Sequence, residues 1–175
     1  MPILDPARSL LLLIDFQARL MPAIHEGAAA VANARRLLDA ARLLGVPVLA
    51  TEQNARGLGG TVPDLDPDDV LPKMTFDAAA TPEVLARIPA DRTPVVAGCE
   101  SHVCVLQTVL GLLDRGRPVV VVADAVASRR PESRATALQR LERHGAEIVT
   151  TEMAIFEWLG SAEHPRFREA LALVR

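Results

Sequence analysis

The chain has 175 residues, half of them apolar and 23% charged, with a formal net charge of −3. That excludes wholesale disorder and suffices for one compact domain with a sizeable core, or at most two very small ones. Without a basic excess or a basic run there is no electrostatic case for binding nucleic acid or an anionic membrane, and four Phe, one Trp and no Tyr build no stacking platform for single strands.

Short apolar runs alternate with helical patterns along the chain. Ser9–Ile14 (SLLLLI) reads as a buried strand that ends at Asp15. Within 28–44, Val31, Ala34, Leu37, Leu38, Ala41 and Leu44 recur at helical spacing, and Gly45 stops the helix. A strand at 47–50 leads into a long loop over 52–72 that is rich in Gly, Pro and Asp. Pro82 opens a short helix over 82–88, and 94–97 is a third strand closed by Gly98.

The second half repeats the rhythm: a helix over 102–115, a strand at 119–123, a helix over 132–144 and a strand at 147–150, then two short helices near 153–159 and 166–174. Nearly all-apolar strands separated by helices predict an α/β fold, one doubly wound (Rossmann-like) domain over residues 1–175 whose parallel sheet is covered on both faces. No run approaches the about 20 apolar residues of a membrane-spanning helix. No secretory signal is expected at the N-terminus, and two cysteines five positions apart make no disulfide framework. The expectation is a cytoplasmic protein with free thiols.

Ligands of such sheets bind outside the carboxyl ends of the strands, near the switch in strand order. That rule singles out Asp15, the 51–53 stretch, the 98–104 stretch, Asp124, and Lys73 at the exit of the long loop. No phosphate-cradling glycine pattern follows the first strand, so a dinucleotide site is not expected. No paired His or Cys-x-x-Cys spacing suggests a metal, and the reading calls for no cofactor.

Asp15 follows four Leu and an Ile, where a carboxylate needs a cation or donors unless it merely caps the next segment. Cys104 falls at a predicted helix start, where backbone N–H groups and the helix dipole lower a thiol pKa; a small buried apolar residue is the alternative. Lys73 is the single lysine among nineteen basic residues, the rest being arginine. It is either a chance survivor or a position that needs a compact ammonium. Together the three would supply a nucleophile, a base and a charge stabiliser.

Leu13-Ile14-Asp15-Phe16-Gln17, Lys73-x-x-Phe76 and Gly98-Cys99-Glu100-Ser101-His102-Val103-Cys104-Val105 resemble, in order and spacing, the signatures of isochorismatase-like cysteine hydrolases. The similarity runs through Ala123-Asp124-Ala125, Ser128-Arg129 and Thr151-Glu152, and so covers about residues 9–156. Within that superfamily the chain is most like the isochorismatase domain-containing proteins, through Thr51-Glu52-Gln53 and Leu58-Gly59-x-Thr61-Val62-Pro63.

The resemblance implies Cys104 as nucleophile, Asp15 as base and then acid, and Lys73 positioning the pair. It also implies a cis Cys99–Glu100 peptide and an oxyanion hole from the backbone N–H groups of Glu100 and Cys104. Water activated by Asp15 would hydrolyse a thioester-type intermediate. Where related nicotinamidases hold a metal, this sequence has Gln53 and Ala55, so no metal is expected. Phe16, Gln17, Gln53, Thr75, Phe76 and His102 are the candidate substrate-pocket residues. The partners expected are a small-molecule substrate and further copies of the chain, as a dimer or tetramer.

Overall fold

The computed structural model describes residues 3–175. Its six strands form one parallel sheet in the order β3-β2-β1-β4-β5-β6. They are β1 Ser9–Ile14, β2 Val48–Gln53, β3 Val70–Lys73, β4 Thr93–Cys99, β5 Val120–Ala127 and β6 Glu147–Val149. The helices are α1 Gly27–Leu44, α2 Ala55–Leu58, α3 Pro82–Ala86, α4 Leu106–Asp114, α5 Pro131–Arg143, α6 Thr151–Leu159 and α7 Phe167–Leu173. No helix of the described residues is long and apolar enough to cross a membrane.

Strand β1 shows why the fold is doubly wound. Alternate side chains of a strand point to opposite faces. Leu11 and Leu13 therefore join the core under α1, α6 and α7. Leu10, Leu12 and Ile14 join the core under α3, α4 and α5. With both faces covered, every position of β1 is buried, and each large side chain contributes about 1.5–3 kcal/mol relative to exposure. Hence the run is uniformly apolar rather than alternating. Helix α1 buries Ala30, Ala34, Leu37, Leu38 and Ala41 along one stripe, and Gly45 ends it in the left-handed conformation (φ 73°).

Three expectations are corrected. The 52–72 stretch is not loop throughout: α2 occupies Ala55–Leu58, and Val70–Lys73 pairs with β2 as the outer strand β3. Pro72 offers no backbone N–H, which only an edge strand tolerates, and the half-exposed Val-Leu-Pro-Lys run has no apolar periodicity to announce it. Strand β5 continues past residue 123 to Ala127, with a register shift against β4 between Val96 and Gly98. The polar Asp124 that broke the apolar run accepts hydrogen bonds from the Thr151 N–H and hydroxyl at 2.8 and 2.9 Å, so it tolerates the strand. The helix expected from residue 102 begins instead as a π-helical turn, Ser101–Val105, before α4.

Candidate active site

Strand order reverses between β1 and β4, the sheet's switch point, and there the polar residues of the strand ends collect. Asp15 leaves β1 with a left-handed backbone (φ 53°) and has no exposed surface. Its Oδ1 accepts a hydrogen bond from Thr51 Oγ1 at 2.7 Å, and its Oδ2 accepts from Lys73 Nζ at 2.6 Å. Lys73 comes in from β3, across the whole width of β2.

The Lys73 ammonium also donates to Gln53 Oε1 at 2.9 Å and to the Thr75 carbonyl at 3.2 Å. Three N–H groups thus meet three acceptors, and neither side chain of the Asp15–Lys73 pair is exposed. A buried pair of this kind is a weak source of stability, because desolvation offsets most of the attraction. Its value lies in holding an ammonium and a carboxylate at one defined spot.

Cys104 enters from the π-helical turn that follows β4, and its thiol is electrostatically coupled to both the Asp15 carboxylate and the Lys73 ammonium. Burial pushes the thiol up from 9.0 to about 12; the Asp15 charge adds to the rise and the Lys73 charge opposes it. This corrects the expectation that a helix start lowers it. The residue is 6% exposed, and desolvation outweighs the few N–H groups of a five-residue turn. The resting thiol is neutral. Cys99, without exposed surface, is pushed up further by burial.

Close packing where β1 and β4 end explains a glycine. Gly98 has φ 153°, and a Cβ built on it would lie 2.6 Å from Ile14 Cβ and overlap the Ile14 carbonyl. Only glycine lets β4 pass so near the residue preceding Asp15. The next peptide but one, Cys99–Glu100, is cis, as the resemblance implies.

The remaining candidates are placed differently from one another. Phe16 is packed in the core under α1. Gln17 is buried and ties strand ends together: its Oε1 accepts from the Gln53 N–H at 2.8 Å, and its Nε2 donates to the Gln53 and Gly59 carbonyls. Gln53 has its carboxamide committed to Lys73 and, through Nε2, to the Met74 carbonyl at 2.9 Å. Both glutamines thus brace neighbouring groups.

Thr75 and Phe76 are exposed beside Lys73, and His102 is half-buried with Nδ1 hydrogen-bonded to Ser128 Oγ at 3.0 Å. The Glu100 side chain turns away to Arg129. Thr51 was noted only as one of the polar residues at the end of the second strand, yet it holds the second oxygen of Asp15; a hydroxyl paired in register with the strand carrying Asp15 is the signal. Among the described residues no group of three or more His, Cys, Asp and Glu could hold a metal ion.

The isochorismatase domain family matches residues 9–153. The chain belongs to the isochorismatase family. A zebrafish (Danio rerio) protein named isochorismatase domain-containing protein 1 is 40% identical over 98% of this chain, which spans only 62% of that relative's length. A solved Caenorhabditis elegans structure described as MAR1 ribonuclease is 36% identical, covers 98% of this chain and 92% of its own, and superposes with a TM-score of 0.92. The Escherichia coli YcaC gene product, described as an octameric hydrolase of unknown specificity, shares the fold with a TM-score of 0.87 at 24% identity, covering 99% of this chain and 88% of its own.

Proposed function

We propose that the protein is a metal-independent cysteine hydrolase that cleaves a C–N bond of a small amide or related carbonyl compound. The observation that carries this reading is the meeting of Asp15, Lys73 and Cys104 from three separate elements in one buried spot. A scaffold with no reaction to perform has no need to desolvate a carboxylate and an ammonium beside a thiol.

In this reading Asp15 takes the thiol proton as the sulfur of Cys104 attacks the carbonyl carbon, since the resting thiol is neutral. Lys73 holds Asp15 in place and offsets the developing charge. The backbone N–H groups of Glu100 and Cys104 stabilise the oxyanion. Asp15 then returns the proton to the departing amine, leaving a thioester on Cys104. Water deprotonated by Asp15 attacks the thioester, releasing the acid and restoring the thiol. Thr51 and Gln53 keep the carboxylate and the ammonium at their stations.

RNA cleavage, the activity in the description of the Caenorhabditis elegans relative, finds less support: the chain has a net charge of −3 and four Phe with no Tyr. We further propose that the chain is one cytoplasmic domain that assembles as a homo-oligomer, as the YcaC gene product does. Both cysteines are free and buried, which suits a reducing compartment.

The test is a screen of small aliphatic and aromatic amides for ammonia release, with intact-mass detection of an acyl adduct. Turnover by the wild type with an adduct on Cys104, both absent in Cys104→Ala, is the expected result. Equal ammonia release by the wild type and Cys104→Ala, or no release from any amide, would overturn the reading.

A further inference from the structure

A polar concavity opens beside the turn that carries Cys104. It has a volume of about 480 Å³ and is lined by His102, Arg129, Arg130 and Ser133, with no carboxylate in its wall. Two adjacent guanidinium groups and an imidazole face one space; Glu100 offsets Arg129 and Glu132 lies in the first turn of α5, which leaves Arg130 as the cation without an acidic partner among the described residues.

Two of the lining side chains, Arg129 and His102, are oriented by bonds on their inner side. Glu100 accepts from the Arg129 N–H at 2.9 Å and from Arg129 Nε at 3.0 and 3.2 Å. These bonds take the inner edge of the guanidinium and leave its terminal nitrogens as donors. His102 is held through Nδ1 by Ser128, so Nε2 is the ring nitrogen left over. Arg130 is exposed and its side chain makes no hydrogen bond or ion pair among the described residues.

The helix behind the cleft adds to the pattern. Arg130 is the N-cap of the 13-residue α5 and supplies no side-chain cap, while Pro131 has no N–H to give. The N–H groups of Glu132 and Ser133 are therefore the open donors of the first turn, at the positive end of the helix dipole. Arg134 donates from Nε to the Val126 carbonyl at 2.8 Å and from Nη2 to the Ala123 carbonyl, which fastens that turn to β5. Arg129, His102 and the first turn of α5 are thus held in place before any ligand arrives, while the Arg130 side chain is left without a partner among the described residues.

We propose that this cleft binds an oxyanion, a carboxylate or a phosphate group, held by Arg129 and Arg130 and by the first turn of α5. His102 sits two residues before Cys104, so the ligand is either the acidic end of the hydrolysed compound or a free oxyanion beside the site.

The test titrates inorganic phosphate, and separately succinate, into the wild-type protein by calorimetry at constant ionic strength, with chloride as the balancing ion. Saturable binding is expected, weakened about tenfold in Arg130→Gln and in Arg129→Gln, the loss of one charge-assisted contact. Arg129→Gln strips the buried Glu100 of its partner and can disturb folding; Arg130→Gln touches nothing buried and keeps the test decisive. Binding that does not saturate, or that persists at wild-type strength in Arg130→Gln, overturns the proposal.

The two sources separate in wild-type kinetics, an arm that rests on the hydrolase reading. Phosphate that competes with succinamate but not with butanamide identifies the acidic end of the substrate. Phosphate that changes the turnover of both without competing identifies a free oxyanion. If neither amide is hydrolysed, the hydrolase reading suffers while the calorimetry still decides the site.

Discussion

Replacing Lys73 separates its charge from its shape. Its side chain has no exposed surface, and its nitrogen serves three acceptors, one of them a buried carboxylate. In Lys73→Met the chain length is nearly kept and the ammonium is lost, so Asp15 keeps only the Thr51 hydroxyl and the weak thiol donor of Cys104. Breaking a buried ion pair by removing one partner costs about 3–5 kcal/mol. For a chain of this size each kcal/mol moves Tm by about 2–4 °C, so the expected fall is roughly 6–20 °C. Lys73→Arg keeps the charge but inserts a longer planar group where three acceptors surround one compact nitrogen. Overpacking costs about 1–3 kcal/mol, and a misplacement near 1 Å lowers turnover on the order of 100-fold. Urea unfolding with thermal melts, together with amide turnover once a substrate is in hand, reads all of this. A Lys73→Met protein as stable as the wild type, or a Lys73→Arg protein with unchanged melting and turnover, would refute the reasoning and return Lys73 to the status of an ordinary basic residue.

Other outcomes follow from the same geometry. The Cys104 thiol is raised from 9.0 to about 12 in the folded chain, so native and unfolded states bind equal protons below pH 9, and the native state binds more between 9 and 12. The contribution of this thiol to stability should therefore be flat below about pH 9 and fall above it, by up to about 1.4 kcal/mol per pH unit, and Cys104→Ala should reduce the slope measured there by urea unfolding. Iodoacetamide should label Cys104 before Cys99, since Cys99 has no exposed surface; equal labelling by peptide mass spectrometry would contradict that. Gly98→Ala should destabilise by about 3 kcal/mol, because the new methyl overlaps Ile14 and the Gly98 φ of 153° disfavours a side chain; a variant with wild-type Tm would show that β1 and β4 can separate there. Exhaustive chelation should leave turnover intact, because Gln53, at the position where metal-binding relatives have a ligand, has its carboxamide engaged by Lys73 and Met74; activity lost to chelator and restored by zinc would overturn this.

What the sequence determined by itself is whatever local chemistry dictates. The SLLLLI run could only be a strand buried on both faces, and that implied helices on both sides of a parallel sheet. The apolar stripe of 28–44 with Gly45 behind it marked α1, and polar residues at the ends of apolar strands marked the carboxyl edge. Asp15, Lys73 and Cys104 were legible as oddities of composition and position. Their meeting was implied only by the family resemblance and not by any local pattern, because it depends on Val70–Lys73 being an outer strand, and a four-residue strand containing Pro72 carries no periodic signal.

Tertiary structure alone decided the rest, through long-range contacts and burial. Cys104 lies on a turn whose start should lower its pKa, yet packing against the sheet raises it, since desolvation depends on neighbours distant in sequence. That Gln17 and Gln53 brace the strand ends is visible only in the folded chain, where their amide groups find partners up to 42 positions away. The grouping of His102, Arg129 and Arg130 arises only because α5 starts beside the turn that carries Cys104. A pattern of residues reports which groups can be charged, buried or nucleophilic; which of them share a dielectric and a hydrogen bond is set by the path of the whole chain.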